Sequence, residues 1–299
     1  MIAVFRPERT TGPSALLGEG PVWDAARSRL LWIDILGRRL HVADPRGDHL
    51  EEIALDATPG TVMPADDGSL LIASDRGILV RRDDGTVTAI NDDIAARPDL
   101  RFNDGKIDPR GRAVVGTLSL SDRPAASALY RLDEDRSLHP LLEPVSLSNG
   151  LGWSPDGRTF YYVDTPTGRV DAFDYDLDDG VLSGRRVFAE ISAGLPDGLC
   201  VDDDGGVWVA LWGGGAVVRH APDGSIDARV EFTVPNVTSC AFGEGGVLFI
   251  TTAAVDLDAD YLAAHPEAGC LFRVDVGRTG RPATLWTTEP AGRAERPRA

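Results

Sequence analysis

The chain has 299 residues, of which 42% are hydrophobic and 26% charged, a composition that supports a packed globular core. Its 47 acidic residues against 30 basic ones leave a formal net charge of −17. That balance argues against a nucleic-acid partner and against adhesion to anionic membranes, because both need a basic face.

In chain order, the opening Met1-Ile2-Ala3-Val4-Phe5-Arg6 lacks the basic and long apolar regions of a signal peptide. No later run approaches the length of a membrane span, so a soluble, cytoplasmic protein is expected. After the opening, short apolar runs alternate with Gly, Asp, Asn and Pro, as strands do. Examples are Leu30-Leu31-Trp32-Ile33, Leu70-Leu71-Ile72-Ala73 and Val207-Trp208-Val209-Ala210. Each repeat carries a turn close to Asp-x-Gly ahead of an apolar strand. Ser28, Gly68, Gly111, Gly157, Gly205 and Gly245 occupy the turn position, at intervals of 40, 43, 46, 48 and 40 residues. A period of 40 to 50 residues with about four strands per period marks propeller blades. Six turns predict an all-β, six-bladed β-propeller, a single domain over residues 1–288. Residues 2–5 are expected to supply the outer strand of the last blade, beside Leu271-Phe272-Arg273-Val274. A short helix is predicted over 258–265, and the charged, Pro-rich 289–299 reads as a frayed tail.

The polar residues that break this pattern lie at one offset. Eight positions before the turn glycine stand Asn103, Asn149 and Asp197, and nine before Ser28 stands Glu19. The equivalent positions in the second and sixth repeats hold Gly60 and Val237. In a propeller these positions open the innermost strands, which all surround one axis. Asn149-Gly150 or Asp197-Gly198 alone reads as a turn. Four carboxylate and amide side chains at a common offset read as one central site. Crowded carboxylates and amides repel or go unsatisfied unless a cation joins them, and oxygen donors suit Ca²⁺, Mg²⁺ or Mn²⁺.

Other motifs point elsewhere or nowhere. Cys200, Cys240 and Cys270 are odd in number and form no C-x-x-C, so a disulfide framework or thiolate zinc site is not expected. None of His41, His49, His139, His220 and His265 lies at the converging offset. There is no H-E-x-x-H, no G-x-S-x-G and no strand-borne G-x-G-x-x-G. Asp174-x-Asp176-x-Asp178 and Asp256-x-Asp258-x-Asp260 lack the glycine or final acid of an EF-hand loop in register and read as solvated loops.

At the converging residues the chain resembles the regucalcin and gluconolactonase family, which includes senescence marker protein and luciferin-regenerating enzyme. The carrying segments are Leu17-Gly18-Glu19-Gly20-Pro21-Val22-Trp23, Arg101-Phe102-Asn103-Asp104-Gly105-Lys106, Ser148-Asn149-Gly150-Leu151-Gly152-Trp153-Ser154-Pro155-Asp156-Gly157, Pro196-Asp197-Gly198-Leu199 and Leu262-Ala263-Ala264-His265-Pro266-Glu267-Ala268-Gly269. The resemblance implies a divalent-metal-dependent hydrolase that opens a small-molecule sugar-acid lactone. It places Glu19, Asn149 and Asp197 on the metal-ligand positions and Arg101 and Asn103 on the substrate-contact positions. The ion is left open among Ca²⁺, Zn²⁺, Mg²⁺, Mn²⁺ and Fe²⁺. Asp197 is the expected general base, with activation of water by the ion itself as the alternative. Some relatives carry an acidic substrate contact after a Gly-Thr-Met-like segment; here that segment is Gly116-Thr117-Leu118-Ser119-Leu120-Ser121, with no acid until Asp122, which leaves the identity of the sugar open. A metal-dependent esterase or organophosphatase of the same fold and a non-catalytic binding propeller are the competing functions. Asp104 and Lys106 flank the site, but strand alternation is expected to turn them away. Trp23 and Trp153 are expected to pack between blades.

Overall fold

The computed structural model describes residues 2–288. Its strands form six separate sheets, each antiparallel between consecutive strands. The innermost strands are Gly18–Asp24, Pro59–Pro64, Leu100–Ile107, Ser148–Trp153, Leu195–Val201 and Val237–Phe242. Each packs beside the next, and the sixth packs beside the first, which closes the ring. Blade 1 continues outward through Arg29–Asp34, Arg39–Ala43 and His49–Ala54.

The predicted turn positions all adopt left-handed backbone, with φ of 47° at Ser28 and 67° to 87° at the five glycines. Side chains of the turns lock them. Asp67 Oδ1 accepts from the N–H of Ser69, Asp156 Oδ1 from that of Arg158, and Asp202 Oδ1 from those of Asp204 and Gly206. These Asx contacts explain why aspartate recurs before the turn glycine.

A four-stranded blade cannot bury its own faces, so the core lies between blades. Among the described residues the buried apolar side chains fall into six clusters, one per blade–blade interface. Leu31 and Ile33 of blade 1 meet Val62, Leu70 and Ile72 of blade 2. Trp23, Leu30 and Trp32 of blade 1 meet Phe249 and Leu271 of blade 6 and seal the ring. The middle strands are buried on both faces, whereas outermost strands such as Val87–Asn91 are largely exposed.

Two terminal segments differ from expectation or extend it. Ala3–Phe5 does not complete the last blade. It pairs in parallel with Ile226–Glu231 as a fifth strand of blade 5, and Glu8–Arg9 pairs with Phe272–Asp275 to complete blade 6. The N-terminal segment therefore spans two blade edges, a register that apolar pattern alone does not encode. The helix is Ala259–Ala264, capped by Asp258, whose side chain accepts from the N–H of Tyr261. Near the other end, the chain crosses beneath the ring. The Asp203 N–H donates to Thr279 O, the Trp286 N–H to Pro64 O and the Thr287 N–H to Gly111 O. The tail reading for 289–299 lies outside the described residues.

Candidate active site

The innermost strands are not regular at the offset where the polar residues stand. In all six, the pairing with the next strand slips there, between Glu19 and Val22, Pro59 and Thr61, Phe102 and Gly105, Ser148 and Leu151, Pro196 and Leu199, and Val237 and Ser239. A bulge bends the strand and re-aims a side chain. Here six bulges form a ring around the axis, and those of blades 1, 3, 4 and 5 carry Glu19, Asn103, Asn149 and Asp197.

The glycines that follow have a reason other than a turn. A Cβ on Gly150 would lie 2.5 Å from the carbonyl oxygen of Asp197, and one on Gly198 would lie 2.1 Å from Ser239 Oγ. Neighbouring inner strands approach too closely there for any side chain. Asn-Gly and Asp-Gly in this chain are marks of a narrow axis.

The structure brings Glu19, Asn103, Asn149 and Asp197 into one buried, hydrogen-bonded and electrostatically linked cluster. Each is only 6% to 9% exposed. Asn103 Nδ2 donates to Asn149 Oδ1 and to Ser148 O, both at 2.8 Å. Asn149 Nδ2 donates to Thr165 Oγ1 at 2.9 Å, and Thr165 Oγ1 donates to Pro196 O at 2.9 Å. This chain of bonds fixes which end of the Asn149 amide faces the cluster: the oxygen. Arg101 Nη1 donates to Asn103 Oδ1 and Phe102 O, both at 2.9 Å. Its Nε and Nη2 make no hydrogen bond among the described residues, so three donors remain for a ligand.

The carboxylates crowd one another. Burial, then the charge of Asp104, pushes Glu19 up to about 8. Burial, then Glu19 and Asp104, raises Asp197 well above the ordinary carboxylate range. Burial also raises Asp104 and lowers Arg101 to about 10. Asp104 Oδ1 accepts from the Gly105 N–H at 2.7 Å, but Asp104 Oδ2 is buried without a partner. Lys106, the only lysine of the chain, donates from Nζ to Leu199 O at 2.5 Å. It offsets part of the negative charge on Glu19 and Asp104.

The sequence reading missed two members of this site. The bulge between Phe102 and Gly105 upsets the alternation that was expected to turn Asp104 away. Thr165 sits in a short 3₁₀ turn, Thr165–Thr167, 16 residues beyond Asn149, at no offset shared with other blades. Trp23 packs between blades as expected, stacked on Phe249 of blade 6, whereas the aromatic partners of Trp153, Phe160 and Tyr175, belong to its own blade.

An oxygen-binding cation fits Glu19, Asp197 and Asn149, two mutually repelling buried carboxylates and an amide oxygen held inward, with the charge of Asp104 nearby. Below this polar ring the channel changes character. A cavity of about 420 Å³ is lined by the later residues of the inner strands, among them Trp23, Met63, Ile107, Trp153 and Phe242. Residues 281–284 line it too, from the segment that crosses beneath the ring.

Comparison with known proteins agrees with this architecture. Residues 17–254 match the family model described as SMP-30/Gluconolactonase/LRE-like region. A regucalcin from Danio rerio is 39% identical over 91% of this chain and 95% of its own. A regucalcin from Gallus gallus is 36% identical over 86% and 90%. Among solved structures, a calcium-binding regucalcin from Agrobacterium tumefaciens superposes with a TM-score of 0.90 at 32% identity, over 96% of this chain and 99% of that one. A gluconolactonase from Xanthomonas campestris superposes at 0.71 and 26% identity, over 87% and 86%. The chain belongs to the SMP-30, gluconolactonase and luciferin-regenerating-enzyme family.

Proposed function

We propose that the protein is a divalent-metal-dependent lactonase acting on a sugar-acid lactone in the cytoplasm. The observation that carries this reading is the polar ring at the axis, where Glu19, Asp197 and the Asn149 oxygen face one another beside a guanidinium with free donors. Family membership and the likeness to a gluconolactonase support it.

Glu19, Asn149 and Asp197 would hold the ion. When bound, it supplies Lewis-acid polarisation of the lactone carbonyl. Asp197 takes the proton of the attacking water. Burial, then the charges of Glu19 and Asp104, raises its basicity in the metal-free chain, and a bound cation would lower it. The ring oxygen leaves with that proton, giving the free hydroxy acid. Arg101 offers forked N–H donors to ring hydroxyls or to the new carboxylate, and Asn103 holds Arg101 and Asn149 in register.

The alternative of calcium storage fits less well. Three protein donors are few for a Ca²⁺ ion that takes six to eight oxygens, and a site with free positions suits substrate. An aryl-ester substrate is disfavoured by the polar mouth around Arg101. The test is hydrolysis of a panel of sugar lactones and phenyl acetate by chelator-treated protein, with Ca²⁺, Zn²⁺, Mg²⁺, Mn²⁺ or Fe²⁺ added back one at a time. Ion-dependent opening of lactones is expected. Equal rates with and without ions, or turnover of the aryl ester alone, would overturn the reading.

A further inference from the structure

Far from the axis, in the two outer strands of blade 1, lies a second group of metal-binding side chains. One donor atom each from His41, His49 and Glu52 lie within 4.8 Å of one another. Their arrangement comes from a bulge. His41 pairs with Glu52, Val42 with Glu51 and Ala43 with His49, which leaves Leu50 without a partner. In a regular strand, residues three apart point to opposite faces. The extra residue brings His49 and Glu52 to the same face, opposite Ala43 and His41. Leu50, displaced by the bulge, is 62% exposed, a cost the strand would avoid if regular pairing served equally well.

Two of the three side chains leave a ring nitrogen unpartnered among the described residues. His41 is 2% exposed. Its ring stacks on Trp32 at 4.0 Å between centroids and 16° between planes, which sets its orientation. His41 Nδ1 and His49 Nε2 are both buried without a hydrogen-bond partner. Glu52 Oε2 is 3.8 Å from His41 Nδ1, too far for a hydrogen bond, while Glu52 Oε1 accepts from Arg39 Nε at 3.0 Å. Arg39 thus orients the carboxylate as outer partners of metal ligands do. Two ring nitrogens buried without a partner are unfavourable unless something pairs with them.

We propose that His41 Nδ1, His49 Nε2 and the Glu52 carboxylate form a Zn²⁺ site that fastens the outermost strand of blade 1 to the strand inside it. Two imidazoles and a carboxylate suit Zn²⁺, whereas Ca²⁺ and Mg²⁺ favour oxygen alone. Zinc ligands at about 2.0–2.1 Å in a tetrahedron stand about 3.3–3.5 Å apart. The three groups therefore need only a small closure, which half-buried His49 and the Glu52 side chain, 42% exposed, have room to make. The strand His49–Ala54 is mostly solvent-facing, so it has little apolar burial of its own and gains from a clamp.

The site is independent of the axial one, and the test keeps them apart. Metal-free full-length protein, its His49→Ala variant and its Glu52→Gln variant are equilibrated with Zn²⁺, and with Co²⁺ as a spectroscopic probe, in excess Ca²⁺. Wild type is expected to hold about one Zn²⁺ more than His49→Ala and to show a visible Co²⁺ band that His49→Ala lacks. Its unfolding temperature should rise on adding Zn²⁺ more than that of either variant. Glu52→Gln, altered at an exposed side chain, should bind at least tenfold more weakly, and it carries the test if His49→Ala fails to fold. Equal Zn²⁺ uptake by wild type and a folded variant, or a Co²⁺ band that persists in it, overturns the proposal. Loss of lactone hydrolysis has no bearing on it, since none of the three residues lies at the axis.

Discussion

The two ends of the central channel are built from the same six strands and have opposite character. At the end where the strands begin, bulges turn Glu19, Asn103, Asp104, Asn149 and Asp197 inward, and like charges are forced together. At the end where the strands finish, pairing is regular, and Trp23, Met63, Trp153 and Phe242 line the cavity together with residues 281–284 of the crossing segment. Trp286 from that segment is buried among Met63, Ala65 and Ile107, with the guanidinium of Arg136 4.6 Å above its ring. One end concentrates unfavourable interactions that chemistry can use; the other concentrates apolar burial that holds the ring shut. The proposed activity and the stability of the ring are thus assigned to opposite ends of one axis.

That separation can be broken in four ways, from the largest expected effect to the smallest. Asp197→Asn should lower lactone turnover by about a hundredfold to ten-thousandfold, the usual contribution of a positioned base. Because it removes one of the crowded carboxylates, the metal-free variant should melt no lower than metal-free wild type. A clear drop in its melting temperature would show that the upper end is structural after all. Trp286→Ala is the mirror experiment. It should cost about 3–5 kcal/mol in denaturant unfolding, with kcat for lactone opening little changed at 25 °C.

Thr165→Val sharpens the contrast within the upper end. It removes the hydroxyl that accepts from Asn149 Nδ2 and donates to Pro196 O, and it keeps the side-chain shape. Loss of such an outer partner should weaken ion binding by about ten- to a hundredfold, read by titrating activity against free ion. The smallest effect concerns pH, on the lower side of blade 5. Burial holds His220 below its ordinary value, with Nδ1 donating to Gly224 O at 3.0 Å and Nε2 buried without a partner. The unfolded chain therefore takes up this proton first as pH falls below about 6.5. The stabilisation is complete above that value and declines as pH drops toward the lowered folded value. His220→Asn should flatten this part of the stability profile without altering the response of activity to added ion.

Much of this was legible in the residues. The turn positions from Ser28 to Gly245 marked the blades because left-handed turns demand glycine or a tolerant substitute. The common offset of Glu19, Asn103, Asn149 and Asp197 was legible because a ring of repeats converts equal sequence position into equal distance from the axis. Asp104 was misjudged, since alternation holds only in a regular strand. The partners of the N-terminal residues were misjudged as well, since parallel addition of Ala3–Phe5 to blade 5 depends on which sheet edge lies beside the closing chain.

Local chemistry in the sequence therefore determined the repeat, the blade number and which polar residues meet, because turns, alternation and period are properties of neighbours along the chain. Tertiary structure alone decided what those residues do on meeting. The six bulges, the close approach at Gly150 and Gly198, the hold of Thr165 on Asn149, and the facing of His41, His49 and Glu52 all arise between strands. Their energies depend on distances of a few ångströms across gaps that linear spacing does not record.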